Sequence, residues 1–311
     1  MKKLFLLDAY ALIYRSYYAF IRSPRINSKG LNTSAIMGFV NTLNEVMTKE
    51  SPTHMGVAFD LGKTFRHDAF PQYKAQREET PEDIKLSVPI IKDILRAFNI
   101  PILQVEGFEA DDVIGTLAKK AGATGVDTYM LTPDKDYGQL VGEHVFMYRP
   151  RYGGGYEVLG EKDVEGKYGI ASPQQVIDLL ALMGDSADNF PGCLGVGEKT
   201  AAKLISEYGS IEELLTHTDS LKGKIKERVE AAVEDIKMSK FLATIRTDVP
   251  IDLNWEELKV VTPNEQKLRE LFAELEFKSL ADKILNKSEN KKKESNSQLD
   301  LFQEFTPVGH E

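Results

Sequence analysis

The sequence predicts an α/β domain with a largely parallel sheet flanked by helices, followed by a helical domain. Three observations predict it. Short apolar runs alternate with amphipathic helical stretches through the first half of the chain, the pattern of strand–helix–strand units. Acidic residues stand just past the ends of those runs. Beyond Gly184 the apolar spacing becomes helical.

Lys3–Leu7 is a short apolar run that reads as a buried strand, and Asp8 follows it. Ser34–Met47 has helical spacing (Ile36, Phe39, Val40, Leu43, Val46). His54–Phe59 is a second strand, with Asp60 next. From Gly62 to Glu79 the pattern breaks into basic, aromatic and polar residues. Thr80-Pro81-Glu82-Asp83 then opens a helix with an N-cap, a proline at its first position and acids in its first turn. Ile100–Val105 reads as a strand, and GFEADDVIGTLAKKAG supplies the next helix. Asp127–Leu131 is a strand ending in Thr132-Pro133-Asp134-Lys135-Asp136. Gly153-Gly154-Gly155 reads as the turn of a hairpin. Ser172-Pro173 starts a helix that ends at Gly184. Glu198–Tyr208, a capped helix at Ser210, Lys224–Ile245 and Pro263–Leu285 complete the helical part. From Asn286 apolar residues thin out, and the composition reads as a flexible linker or disordered tail. The expected domains are residues 1–175 with an arch at 62–90, residues 176–285, and a tail at 286–311.

At 311 residues with 42% apolar content, the chain can bury a large core. Cys193 is the single cysteine, which excludes an internal disulfide framework and fits a reducing cytoplasm. The start, MKKLFLLDAYALIYR, imitates a signal peptide, but Asp8 and Arg15 interrupt it and no small-residue cleavage site follows. No stretch reaches the roughly 20 apolar residues of a membrane span. The net charge of −9 argues at first against a nucleic-acid partner, yet global charge says little about local patches. Setting aside the nine acids assigned below to one cluster leaves 39, equal to the 39 Lys and Arg.

Those nine are Asp8, Asp60, Glu109, Asp111, Asp112, Asp134, Asp136, Asp185 and Asp188. In parallel sheets the active crevice lies beyond the carboxyl ends of the strands. Four chain segments of that region aim acids at that one edge. The result is an oxygen-only pocket, suited to Mg²⁺ or Mn²⁺. Two such ions roughly 4 Å apart stabilise an attacking hydroxide and a leaving oxygen on a phosphodiester. Singly, each acid has an ordinary explanation as a helix-start or turn residue. Their recurrence at successive element ends does not. The scattered histidines and lone Cys193 argue against zinc.

Two further constellations accompany the acids. Gly195-Val196-Gly197-Glu198-Lys199-Thr200-Ala201-Ala202-Lys203 is a Gly-x-Gly turn opening a helix, with backbone N–H groups suited to a phosphate and Lys199 and Lys203 on one face. It fits neither a P-loop nor a dinucleotide fingerprint. Arg66, Tyr73, Lys74 and Arg77 interleave cations with aromatics, a pattern that takes phosphates and stacked bases, and Arg15 follows the first strand.

Together these stretches resemble the 5′-nuclease family: the N-terminal 5′→3′ exonuclease domain of bacterial DNA polymerase I and the related flap endonucleases. The resemblance runs from Leu4 to about Leu285 and is carried by FRHDAFPQYKAQR, GFEADD, TPDKD and GDSADNFPGCLGVGEKTA. It implies a PIN-like α/β fold with a helix-hairpin-helix subdomain. It implies two metal groups, Asp8, Asp60, Glu109, Asp111 and Asp112 in the hydrolytic one, and Asp134, Asp136, Asp185 and Asp188 in the other. It also implies that Arg15, Arg66, Tyr73, Lys74 and Arg77 line the scissile phosphate and the arch. Lys74 and Arg77 would stabilise charge on the phosphorus, and Tyr73 would stack on a base. Gly195, Gly197, Lys199, Thr200 and Lys203 would grip the duplex backbone, with a K⁺ ion. Gln298-Leu299-Asp300-Leu301-Phe302 resembles the peptide by which bacterial proteins bind the sliding clamp.

The expected function is a metal-dependent, structure-selective 5′→3′ exonuclease and flap endonuclease of a bacterial cytoplasm, associated with the nucleoid. Its substrate would be DNA carrying a 5′ flap or a nick at a primer, in primer removal and repair. The linker-like tail favours a chain that continues into a polymerase module. Two alternatives stand beside it: a non-catalytic module that grips DNA junctions, and a related PIN-like ribonuclease.

Overall fold

A computed structural model describes residues 2–285. They divide into two compact units. One comprises residues 2–15, Pro52–Glu82 and Ile100–Val260, and the other Ser16–Ser51, Asp83–Asn99 and residues 261–285.

In chain order the elements are β1 (Lys3–Asp8), α1 (Ala9–Ala19), α2 (Ser34–Lys49), β2 (His54–Ala58), α3 (Phe65–Ala69), α4 (Glu82–Ala97), β3 (Ile102–Leu103) and α5 (Ala110–Gly122). There follow β4 (Asp127–Leu131), β5 (Val145–Pro150), β6 (Tyr156–Leu159), α6 (Glu161–Tyr168), α7 (Val176–Met183), α8 (Glu198–Tyr208) and α9 (Ile211–Thr216). The last are α10 (Gly223–Ala231), α11 (Val233–Ala243), α12 (Trp255–Leu258) and α13 (Glu265–Glu274). Residues 278–285 are also helical.

The first unit is built on one sheet in the order β3-β2-β1-β4-β5-β6. β1 to β5 pair in parallel, and only β6 runs antiparallel, against β5. Leu4, Phe5, Leu6 and Leu7 of β1 are buried without alternation, as expected of a central parallel strand covered on both faces. α5 lies across β1, β2 and β4 through Val113, Ile114, Leu117 and Ala118. From β1 the chain moves outward to β2 and β3, and then returns to the other side of β1 with β4. The order reverses between β1 and β4, and a parallel sheet opens its crevice at such a switch point.

The second unit holds α2, α4 and α13. Asn32 donates to Asp83 at 2.8 Å, and Asn99 Nδ2 to the Thr262 carbonyl at 2.8 Å. Gly38 passes so close to Ser16 that an added Cβ would lie 2.5 Å from the serine Cβ.

Several elements differ from expectation. β3 spans Ile102–Leu103 rather than Ile100–Val105. It is an edge strand beside Pro101, which has no N–H and serves only as an acceptor, from Val57 N at 3.1 Å. The helix expected over Lys224–Ile245 breaks at Ala232 into α10 and α11. No Gly or Pro marks the break; it lets Val229 and Ile236 both reach the interior, so tertiary packing overrides a continuous helical pattern. The stretch 263–285 likewise breaks at Glu276, whose φ is +62°. No helix among the described residues is long and apolar enough to cross a membrane.

Candidate active site

The N-terminus of α5 organises the site. Glu109 is its N-cap residue, in extended backbone. Asp112 Oδ2 turns back to accept from Glu109 N at 3.0 Å, and Asp60 Oδ1, just past β2, accepts from Ala110 N at 2.7 Å. Two backbone donors that a helix start leaves open are thus satisfied by carboxylates, and the helix dipole favours them there. Asp111 Oδ1 accepts from Asp112 N at 2.7 Å. Glu109, Asp111 and Asp112 each offer a ligand oxygen within 4.8 Å of the others.

Asp112 has a different task from its neighbours. It is wholly buried. Oδ1 accepts from Arg66 Nη2 and Arg246 N, both at 2.8 Å, and Oδ2 from Arg66 Nη1 at 2.8 Å and Glu109 N. Each oxygen accepts two hydrogen bonds, so Asp112 ties the cluster to Arg66 and Arg246 while standing with Glu109 and Asp111 in the carboxylate group that could hold a metal. Arg66 is 1% exposed and also donates to Glu109 Oε2 at 2.9 Å and to the carbonyls of Leu242 and Thr244. It was expected to line a scissile phosphate. It is instead a buried strut with every guanidinium nitrogen in use.

Asp8, at the end of β1, accepts from Ala11 N at 3.1 Å, Tyr137 Oη at 3.0 Å and Thr132 Oγ1 at 3.3 Å. Burial, with Asp60 and Asp134 close by, raises its carboxyl to about 7. Asp111 is pushed well above the usual range by burial and Asp112, and Asp136 by burial and Asp134. Glu109 goes the other way. Burial would raise it, but Lys74 and Arg66 together hold it below its ordinary value.

Asp134 caps the 3₁₀ turn Lys135–Leu140, accepting from Asp136 N at 2.9 Å. Lys135 Nζ lies 3.9 Å from Asp136 and 3.1 Å from Asp185. Asp185 and Asp188 sit on a loop closed by two glycines. Gly184 and Gly192 touch backbone to backbone, and a Cβ on Gly192 would lie 2.2 Å from Gly184 N. Only glycine permits that approach.

Lys74 occupies the left-handed region, φ +56°. Its N–H donates to the Asp188 carbonyl at 2.9 Å, and its Nζ reaches Glu109 Oε1 at 2.7 Å and Asp188 at 3.8 Å. Arg77 pairs with Asp188. Tyr73, expected to stack on a base, is 3% exposed and directs its hydroxyl at Glu109 and Asp188, at 3.0 and 3.1 Å. Its ring has no open face to offer. Arg15 is exposed and donates to the Arg151 carbonyl at 3.3 Å.

A cleft of about 440 Å³ results, lined by Asp8, Asp60, Glu109, Asp111 and Asp134 together with Lys74, Arg77 and Tyr137. Asp188 adjoins it through Lys74 and Arg77, Asp136 through Asp134, and Lys135 bridges Asp136 to Asp185. Arg15 is not among the lining residues. The donor set fits a divalent cation. It is oxygen throughout, burial and crowding raise several of its carboxyls, and Asp136 Oδ1 is buried with no hydrogen-bond partner among the described residues. Tyr137 and Thr132 were not anticipated; their one signal in the sequence is adjacency to the Asp134–Asp136 turn.

Elsewhere Gly197 caps α8, and Gly195 has φ +80°. Arg228 donates to the Gly195 carbonyl at 3.0 Å. Lys199 and Lys203 are exposed one turn apart, and Thr200 is half-buried between them. Gln298–Phe302 lies outside the described residues.

The family model described as the 5′-3′ exonuclease N-terminal resolvase-like domain matches residues 3–169, and that of the 5′-3′ exonuclease C-terminal SAM fold matches residues 171–266. A 5′-3′ exonuclease of Aquifex aeolicus is 40% identical over 285 residues, covering 91% of this chain and 96% of that protein. DNA polymerase I of Bacillus caldotenax is 40% identical over 296 residues, covering 94% of this chain but 33% of that protein. The chain thus spans about a third of the polymerase relatives it matches. Among solved structures, the T5 5′-exonuclease with bound divalent zinc ions has a TM-score of 0.64 at 22% identity, covering 88% of this chain and 99% of that one. The catalytic core of Rad2 with a DNA substrate has a TM-score of 0.58 at 18% identity, covering 87% and 86%. Both likenesses are of fold.

Proposed function

The chain belongs to the 5′-3′ exonuclease family, and from that premise we propose that it hydrolyses one phosphodiester near a single-strand/duplex junction of DNA, as a divalent-metal-dependent 5′ nuclease that trims flaps and primers. The observation that carries the reading is the meeting of Asp8, Asp60, Glu109, Asp111 and Asp134 in one cleft whose wall also bears Lys74 and Arg77. Anionic ligands for a cation and cationic groups for a phosphate stand side by side.

Asp8, Asp60, Glu109 and Asp111 would hold one Mg²⁺ or Mn²⁺, and Asp134, Asp136, Asp185 and Asp188 would serve a second. Bound there, such ions activate water and neutralise charge on the phosphate. The chain's own residues do the rest. Lys74 and Arg77 exchange their carboxylate partners for the scissile phosphate and stabilise the charge that develops on it. Arg66 and Asp112 hold Glu109 in place from behind. Lys199 and Lys203, with the backbone N–H groups at Gly195–Gly197 and a K⁺ ion, grip the duplex backbone, so selectivity follows shape rather than base sequence. The PIN-like part, residues 1–175, cuts, and residues 176–285 hold DNA. Gln298–Phe302 binds the sliding clamp; a peptide spanning 295–305 that shows no saturable binding to the clamp refutes that part.

The central test is a 5′-labelled flap duplex with Mg²⁺, with and without chelator. Metal-dependent release of the flap is expected, and its absence rejects the reading. Asp111→Asn should abolish cutting while DNA binding persists. Binding without cutting by the unaltered chain would favour a junction-binding module, and a strict preference for RNA a ribonuclease.

A further inference from the structure

Tyr137 is 1% exposed, on the 3₁₀ turn that begins just after Asp134. Its ring lies in the apolar core of its unit, yet its hydroxyl reaches the acidic cleft and donates to Asp8 Oδ2 at 3.0 Å. For packing alone, phenylalanine would serve as well and would leave no polar atom to satisfy. Asp8 Oδ2 also accepts from Thr132 Oγ1 at 3.3 Å, whereas Oδ1 has one backbone donor, Ala11 N at 3.1 Å. Two side-chain hydroxyls thus commit one carboxylate oxygen, and the other keeps lone-pair capacity.

We propose that Tyr137 is a positioning residue: its hydroxyl, with that of Thr132, fixes the orientation of Asp8 so that one oxygen is presented to a divalent cation. The inference rests on the metal-dependent reading above. Tyr137 belongs to the same six-residue turn as Asp136, with Asp134 as its cap, so it also ties the end of β1 to the second carboxylate group. Outer hydrogen bonds of this kind orient ligands, and their loss typically costs about 10- to 100-fold in metal affinity.

The test is calorimetric titration of the full chain with Mn²⁺ and no DNA, comparing the unaltered protein with Tyr137→Phe, which removes one atom and keeps the ring. The variant should bind about 10- to 100-fold more weakly. Its melting midpoint in chelator should not fall. On a flap duplex its kcat should drop and recover at high metal concentration, while KM for DNA holds. Thr132→Val, acting on the same oxygen over a longer bond, should show a smaller loss in the same direction and gives an independent arm. In an Asp8→Asn background, Tyr137→Phe should change metal affinity no further. Affinity within twofold of the unaltered protein overturns the proposal, as does an equal loss in the Asp8→Asn background. If the unaltered protein binds no divalent cation, the metal-dependent reading itself fails, a result distinct from either.

Discussion

Lys74 Nζ stands 2.7 Å from Glu109 Oε1, so a cation proposed to meet the substrate phosphate already rests on a proposed metal ligand. The carboxylate has lost hydration and has Arg66 on its other oxygen. A metal held by Glu109, as proposed, would compete with Lys74 for that carboxylate, and Lys74 would then be free for phosphate.

Lys74→Met should consequently have opposite effects on binding and on turnover. Without DNA, metal affinity should rise by roughly tenfold, the scale of one charge-assisted hydrogen bond. Turnover on a flap duplex should fall by about 100-fold or more, because a cation aimed at developing charge is gone. Calorimetry and single-turnover cleavage measure the two. Metal affinity that is unchanged or weaker would remove the competition from the account.

Arg66→Ala should be a folding variant before it is a catalytic one. It leaves Asp112 buried without its cation, each oxygen keeping a single backbone donor, and frees the carbonyls of Leu242 and Thr244. Breaking a buried pair in this way typically costs about 3–5 kcal/mol. Arg66→Lys should recover only part of it, since an ammonium cannot make the bidentate contact to Asp112. Urea unfolding in chelator reads both. Stability equal to that of the unaltered protein would mean the strut is not one.

Arg66 and Tyr137 show where sequence reading reaches its limit. The alternation of strands and helices was legible, as were the acids after them, because a parallel strand reads as an apolar run that stops at its polar end. Hence the sequence alone places Asp8, Asp60 and Asp134 beside Glu109 and Asp111. The partners of each charge were not legible. An Arg among aromatics looks the same on a surface loop as in the core, and only the fold brings Leu242, Thr244 and Asp112 around it. A Tyr after an Asp looks like ordinary core. The break at Ala232 was hidden for a related reason, since packing rather than any local signal ends α10.

The metal-free chain should lose stability as pH rises. Burial and the neighbouring Asp60 raise the Asp8 carboxyl from an ordinary 3.8 to about 7 in the folded state. A carboxyl raised by folding contributes stability that is full below about 3.8 and is lost as pH climbs through about 7. Asp111 and Asp136 act in the same direction. In chelator, Asp8→Asn should melt above the unaltered protein at pH 8, with the gap closing toward pH 4. Saturating Mg²⁺ should reverse the order, because metal stabilises the carboxylate form. Melting curves across pH decide it, and a gap that does not vary with pH would remove Asp8 as its source.

Gly192 and Gly169 offer a pair for the acidic loop. Both have positive φ, +59° and +66°, so alanine is strained by backbone conformation at either. At Gly169, whose φ and ψ are left-handed helical, that strain is roughly 1–2 kcal/mol. A Cβ there meets nothing within 4 Å, and the strain is the whole cost. At Gly192 the same atom would fall 2.2 Å from Gly184 N and 2.6 Å from Gly184 Cα. Neither is the end of a flexible side chain, so the backbone must part, and the loop bearing Asp185 and Asp188 moves with it. Gly192→Ala should therefore unfold at clearly lower urea than Gly169→Ala and should bind metal more weakly, although no carboxylate has been changed. Gly169→Ala should keep the metal affinity of the unaltered protein. Equal losses in the two variants would show that φ alone, and not the contact between Gly184 and Gly192, sets the requirement for glycine.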